Sequence, residues 1–378
     1  MIPVSTDSKL IQQGGMGGYS STSFVWEIRV ESWYNGVLLH DDIPVEDGTE
    51  YGDRTSSVPT RVTLSVPRTV DNVDWSPLND DYHPLACNGQ RLRIMLGVQL
   101  QQHTEWIQRG EYLITSASEE GDTIRVEALS LLKLVEEARF VSPFQPTGTL
   151  KSTLRALMEP ALTVVFDAAL TDRAVPAGIN YDEDRLGAVN ELLSAWPAEM
   201  KMVNEGYAYV YVPETPSYST TPVATFTDTE GTTFNTVVID WSGEVDREGV
   251  YNCVVARGTQ TDGGQVQGVA YDYSTGAHRI GGPFNPLPVP EYFASPLLTT
   301  VSQCRAAATT RLARRLRERR RPLRIRTTPV NFLELGDVVS VEIVPPGNTP
   351  PRATIEAFTL PLVPGGDQAM DLLVGVVQ

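Results

Sequence analysis

The chain has 378 residues, 41% hydrophobic and 20% charged, with 30 basic against 47 acidic side chains and a net charge of −17. That length exceeds one ordinary core and implies three or four modules. The composition is too apolar for disorder, and the acidity disfavours adhesion to nucleic acid or anionic membranes.

No uninterrupted apolar run reaches membrane-spanning length, and residues 1–20 lack the basic and apolar regions of a signal peptide. The expectation is a chain that is neither exported by such a signal nor embedded in a bilayer. Cys87, Cys253 and Cys304 are widely spaced and odd in number, which gives no disulfide framework or zinc pattern and reads as free thiols. Four scattered histidines, His40, His83, His103 and His278, offer little material for a metal or nucleophile site.

Residues 1–22 include Gln12-Gln-Gly-Gly-Met-Gly-Gly-Tyr19, read as an arm or loop. A phosphate-cradling loop would need a Lys-Ser/Thr after the glycines and a preceding strand, and this stretch has neither. From Phe24 the pattern is β. Phe24, Trp26, Ile28 and Val30 alternate, Asn35-Gly36 marks a hairpin, and Val62, Leu64 and Val66 mark another strand. Arg68 to Gln90 is a turn-rich loop whose Asp71, Asp74, Asp80 and Asp81 lack EF-hand spacing and read as a solvated acidic loop rather than a calcium site. Strands are predicted at Leu92–Gln99, Glu105–Gln108, Tyr112–Ser116 and Thr123–Leu129, so the first module is a sandwich or barrel ending near 140.

From 141 to 215 the pattern becomes α/β. Thr149 caps a helix presenting Leu150, Leu154, Leu157 and Met158, ended by Pro160; Thr163–Asp167 is a strand. Asp182, Glu183 and Asp184 precede a second helix carrying Leu186, Val189, Leu193 and Trp196. They read as a helix-start cluster, favoured by the helix dipole, rather than as catalytic carboxylates. Met200–Val203 and Tyr207–Val212 form a hairpin, and Pro213–Pro222 is a linker by composition.

Strands are then predicted around Thr225–Asp228, Phe234–Asp240 and Val250–Ala256, with Gly258–Gly268 a polar loop. Thr300-Val-Ser-Gln303 is a capping box opening a helix from about Val301 to Arg319, and Ala308, Leu312 and Leu316 form its apolar stripe. Strands at Leu323–Thr327, Val338–Ile343, Ala353–Leu360 and Asp371–Val376 finish the chain. Residues 301–326 carry ten arginines and one acid, a local charge of +9 that leaves −26 elsewhere. Arginine favours bidentate pairing with carboxylates. The arginines of this helix therefore read as intra- or inter-subunit salt-bridging groups ahead of a solvated face or a nucleic-acid contact. Arg311, Arg314, Arg315, Arg317, Arg319 and Arg320 are the candidate inter-subunit contacts.

One order of elements carries a resemblance. A strand Val250–Arg257 is followed by a loop, an Ala/Arg helix Arg305–Arg320 and then Phe332-Leu-Glu-Leu-Gly-Asp337-Val-Val. In this the chain resembles the phage tail hub and baseplate hub family. Phe24–Val30, the Asn35-Gly36 hairpin and Val58–Pro67 are similar to a family from actinobacteria and their phages.

The resemblance implies a mainly β (α+β) chain with two tail-tube-like β-barrel domains, a small α/β domain and a helical insertion. The barrels would be residues 1–140 and 216–265 with 322–378, the α/β domain 141–215, and the insertion 266–321. It further implies a homotrimeric virion protein at the tail tip, made in the host cytoplasm, adapting a six-fold tube to a three-fold tip and forming part of the DNA channel. Tube proteins would lie above it and fibre or spike proteins below, with no catalysis, cofactor or metal. The alternative is a carbohydrate-binding or carbohydrate-active β protein using Trp26, Trp33, Trp75, Trp106, Trp196 and Trp241, for which no paired-carboxylate motif stands out.

Overall fold

The computed structural model describes residues 1–13, 26–196, 198–212, 221–227, 236–243, 247, 249–260, 262–318, 321–343 and 352–375. Within them the first part of the chain runs α1 (Thr6–Gln12), β1 (Trp26–Tyr34), β2 (Val37–His40), β3 (Asp47–Asp53), β4 (Thr60–Pro67), β5 (Thr69–Val70), β6 (Val73–Asp74), β7 (Arg91–Gln99), β8 (Thr104–Glu120) and β9 (Thr123–Ser130). Next come α2 (Leu132–Glu137), α3 (Leu150–Met158), β10 (Val164–Phe166), α4 (Arg185–Ala195), β11 (Glu199–Met202) and β12 (Ala208–Tyr211). The remainder is β13 (Thr225–Thr227), β14 (Thr236–Gly243), β15 (Cys253–Thr259), β16 (Gln265–Tyr271), β17 (Pro290–Ala294), α5 (Val301–Glu318), β18 (Arg321–Thr327), β19 (Val338–Glu342), β20 (Arg352–Pro361) and β21 (Gln368–Gly375).

The chain is mostly β with few helices. Thirteen strands share one hydrogen-bonded sheet in the order β19-β13-β14-β18-β21-β20-β3-β4-β9-β8-β7-β1-β2. A further ladder, Val338–Ser340 on Arg352–Thr354, joins β19 to β20, so the six strands β13, β14 and β18–β21, the last of the thirteen in chain order, close on themselves. The first seven remain open by ladder. There β1 and the segment before β3 are linked by one backbone bond, Ile43 N–H donating to Val30 O at 2.8 Å. The two halves meet where Ala357–Pro361 of β20 pairs antiparallel with Thr49–Asp53 of β3. One apolar core runs through both halves, from Val30, Leu64 and Ile94 to Phe226, Phe332 and Leu360.

A second core joins the α/β segment to the insertion. Leu154, Val189 and Trp196 pack together with Val254, Leu298, Ala308 and Leu312. Strands β10–β12 form one small sheet, and β15, with β16 and β17 on either side, forms another. The expectation that put residues up to 265 in the second barrel is corrected here, because β15 pairs with β16 and β17 and is covered by α5 instead. Its sequence alternates as any half-buried strand does, so the periodicity could not say which sheet it joins.

Local signals explain much of this. Asn35 and Gly36 both have positive φ, +48° and +76°, as a tight two-residue hairpin requires. Thr149 caps α3 reciprocally with Ser152, and Asp184 caps α4 by accepting from Gly187 N–H at 2.8 Å. Thr300 and Gln303 bond each other's backbone at the start of α5. The arm expected over residues 1–22 is corrected where it is described. Ser5 caps helix α1, Ile2 and Ile11 are buried, and the Gln12 side chain accepts from Asn331 N–H at 2.6 Å. Residues 14–25, and 213–220 of the expected linker, lie outside the described residues.

Two predicted strands, Glu105–Gln108 and Tyr112–Ser116, are one strand, β8, interrupted by bulges at Arg109 and Thr115. Strands β3 and β16 have no counterpart in the sequence reading, because glycine and polar residues mask them. Gly52 is needed where the halves meet, since a Cβ there would lie 2.5 Å from the Phe358 ring. Gly268 lets α5 lie on β16, where a Cβ would come within 2.2 Å of Arg305 N. Strand β17 and helix α2 are likewise additions.

Candidate functional site

Two charged constellations stand where these units meet. The first is built on the bulge at Arg109. A bulge re-aims one side chain, and this one turns a guanidinium into the core. Arg109 Nε and Nη2 donate to Glu50 Oε2 and Oε1 at 2.8 and 3.2 Å. Nη1 donates to the carbonyls of Asn331 and Leu333 at 2.7 and 2.9 Å. Tyr112 OH donates to Glu50 Oε1 at 3.1 Å, and the Phe358 ring lies 5.7 Å from the guanidinium.

Burial alone would lower the Arg109 pKa, but the adjoining Glu50 carboxylate overrides it and holds the guanidinium more firmly protonated than usual. Burial, then Glu50, pushes the Tyr112 phenol well up. The cluster spans β3, β8 and the segment before β19. Its partners satisfy one another, and what it does is fix the two halves in register.

The second constellation is carried by α5. Arg311 and Arg315, one turn apart, both grip Glu291 of β17. Arg311 donates from Nε and Nη2 at 3.0 and 2.9 Å, and Arg315 at 2.9 and 2.6 Å. Burial would raise the Glu291 carboxyl, but the bonds from Arg315 and Arg311 outweigh it and leave it below the usual range. Arg314 Nη2 lies 3.7 Å from Glu199 Oε1. Arg54, just after β3, bridges Glu199 at 3.3 Å and Glu356 at 2.9 Å. Tyr211 OH donates to Glu199 Oε2 at 3.3 Å. Arg54, Glu199, Tyr211, Arg314, Arg315 and Glu356 face a cleft of about 920 Å³ between the large sheet and the α/β segment.

Of the six arginines expected at a subunit interface, Arg311, Arg314 and Arg315 thus pair within the chain. The Arg317 side chain and all of Arg319 and Arg320 lie outside the described residues. The acidic loop is pinned by its own turns: Asp80 accepts from Tyr82 N–H at 2.9 Å, and Asn88 donates to Asp81 Oδ1 at 3.3 Å. Among the described residues no three His, Cys, Asp or Glu side chains converge as a metal site would need. Trp26, Trp75 and Trp196 are core residues, so they are not surfaces on which a sugar could stack.

Sequence reasoning missed Arg109, Glu50, Arg54, Glu199 and Glu291. The one available signal was Arg109-Gly110 inside an otherwise regular strand, a mark of a bulge. The carboxylate partners lie 59 and more residues away from their arginines or on unrecognised strands, and spacing does not disclose them.

No protein-family model matches the chain, and no curated protein matches it in sequence. Solved structures do. A tail protein from Neisseria meningitidis MC58 superposes with a TM-score of 0.62 at 14% identity, over 92% of this chain and 97% of that one. The 43 kDa tail protein of prophage MuSo2 from Shewanella oneidensis gives 0.57 at 10%, over 92% and 98%. An E. coli component of the type VI secretion system, itself similar in structure to the T4 bacteriophage tail proteins gp27 and gp5, gives 0.50 at 14%, over 93% and 77%. The chain has the fold of phage tail proteins.

Proposed function

We propose that this chain is a structural protein of a phage tail or of a tail-derived particle. In this reading it is a homotrimeric hub at the tip of the tube, adapting a six-fold tube to a three-fold tip and forming part of the DNA channel. The observation that carries the proposal is the pairing of two similar units, one of seven strands and one of six, side by side within one chain, in a fold shared along nearly its whole length with tail proteins. Three copies supply six such units, so a six-fold surface above can be matched by a three-fold assembly.

The charge supports the same reading. A net −17 keeps a channel wall from holding a passing polyanion. The part is mechanical, with tube proteins as neighbours above and tip, fibre or spike proteins below, and its place is the virion tail. Arg317, Arg319 and Arg320 remain the proposed inter-subunit arginines. The test is the mass of the purified chain in solution together with its projection in electron micrographs. A three-copy ring with six lobes is expected, and a protein that stays monomeric at every concentration contradicts it.

A further inference from the structure

Apart from β2, which has no counterpart, the two units repeat one another strand for strand. In chain order β1, β3, β4, β7, β8 and β9 correspond to β13, β14, β18, β19, β20 and β21. In space, β1-β7-β8-β9-β4-β3 follows the same path as β13-β19-β20-β21-β18-β14. The orientations agree except that β13 runs parallel to β19 where β1 runs antiparallel to β7. A bulge fixes the alignment. Strand β8 parts from β7 after Leu113 and bulges at Thr115; β20 parts from β19 after Thr354 and bulges at Glu356.

Aligning the bulges places Ser116–Glu120 on Ala357–Pro361. Following the ladders through β9 and β21, then β4 and β18, places Asp47–Thr49 on Asp240–Ser242.

One joint is made within the chain. Beyond its bulge β20 pairs with β3, setting Pro361 opposite Thr49, and Leu362 N–H donates to Gly48 O at 2.8 Å. The equivalent edges elsewhere are open. Among the described residues β8 beyond its bulge pairs only with β9, and β14 beyond Val238 pairs only with β18. The Cys87 thiol lies against the Ala117 amide and the Glu119 carboxylate holds Ser76 Oγ and Arg68, so what is open of the β8 edge is the backbone of Ser118–Glu120 and the turn at Gly121.

The side chains at these edges match with their sizes exchanged. In the internal joint the small residue is Gly48, where a Cβ would lie 3.3 Å from Leu362 Cβ, and the large one is the buried Leu362. At the open edges the large residue is Trp241, 53% exposed beside Ile239, and the small one is Gly121, with free space where a Cβ would stand. An open strand edge bearing an exposed tryptophan is a surface that ordinarily seeks a strand.

We propose that the β8 edge of one copy adds antiparallel to the β14 edge of the next, repeating between copies the β20–β3 joint made within each. Glu120 then stands opposite Ser242 of the neighbouring copy, and Trp241 seats over Gly121. Three joints within chains and three between them close the ring. This rests on the trimeric reading above and assigns the surface through which the trimer forms.

The test is a disulfide between copies. In a Cys87→Ser background, Glu120→Cys with Ser242→Cys brings two thiols to facing positions of an antiparallel pair, within disulfide reach. Oxidation is expected to give a ladder ending at three chains, and neither single cysteine does so. Trp241→Glu changes an exposed residue, so it is expected to stay folded, with a cooperative unfolding transition, while shifting the mass from three copies to one. If the wild type assembles, yet Trp241→Glu assembles equally and the cysteine pair stays uncrosslinked, the pairing is overturned and the trimer stands. A wild type monomeric at every concentration overturns both.

Discussion

Arg109 and Glu50 form a buried bidentate ion pair within the first half, and Arg109 reaches from it to the carbonyls of Asn331 and Leu333 in the second. Removing one member strands the other charge away from water, a loss of about 3–5 kcal/mol. Arg109→Ala and Glu50→Ala are each expected to lower the urea unfolding free energy by that order. The double variant should lose clearly less than the sum of the two. Additive losses would show that the pair does not act as a unit.

Gly52 faces Phe358 so closely that a Cβ would sit 2.5 Å from the ring. Gly52→Ala is expected to cost about 1–3 kcal/mol by overpacking. Phe358→Leu should recover part of that loss in the double variant, read from thermal unfolding. An unchanged midpoint in the single variant would mean that β3 and β20 have room to separate.

The Glu291 carboxyl is held below its ordinary value because the Arg315 and Arg311 bonds outweigh burial. A depressed carboxylate adds stability that is complete above its unfolded value, near 4.5, and is lost as pH falls through the folded one. Acid unfolding below about pH 4.5 is therefore expected to be steeper in the wild type than in Glu291→Gln, which is less stable at pH 7. Parallel curves would contradict the assignment.

Trp75 lies edge-on between His40 and His83, with ring centroids 4.8 and 6.1 Å away. His83 Nδ1 accepts from Leu85 N–H at 3.1 Å, and burial lowers the His83 pKa despite Asp80 and Asp74 nearby. A histidine kept neutral by the fold gives stability that is full above pH 6.5 and declines as pH falls below it. The tryptophan emission, to which Trp75 contributes as one of six, is expected to shift as the loop loosens when pH falls below 6.5. His83→Gln should flatten the transition.

Much of the fold was legible where local chemistry acts alone: the Asn35-Gly36 hairpin, the caps at Thr149, Asp184 and Thr300, and the alternation of β4 and β7. Strand β3 was hidden because its glycines answer to side chains distant in sequence, Gly52 to Phe358 and Gly48 to Leu64 and Leu362, rather than to their neighbours. The arginine helix was legible as a salt-bridging element, yet its carboxylate partners were not: Glu291 lies on a strand the sequence did not mark, and Glu199 on a strand far away in sequence. Pairing partners of strands are set by ladders far apart in sequence, which is why the assignment of β15 failed while its existence did not.

The mass of the purified wild-type chain by light scattering, read with class averages of the same sample, tests the hub directly. A particle of three chains whose averages show a ring of six similar lobes around a central opening is the predicted result. A single chain over the whole accessible concentration range, or a two-fold dimer without an opening, would contradict it.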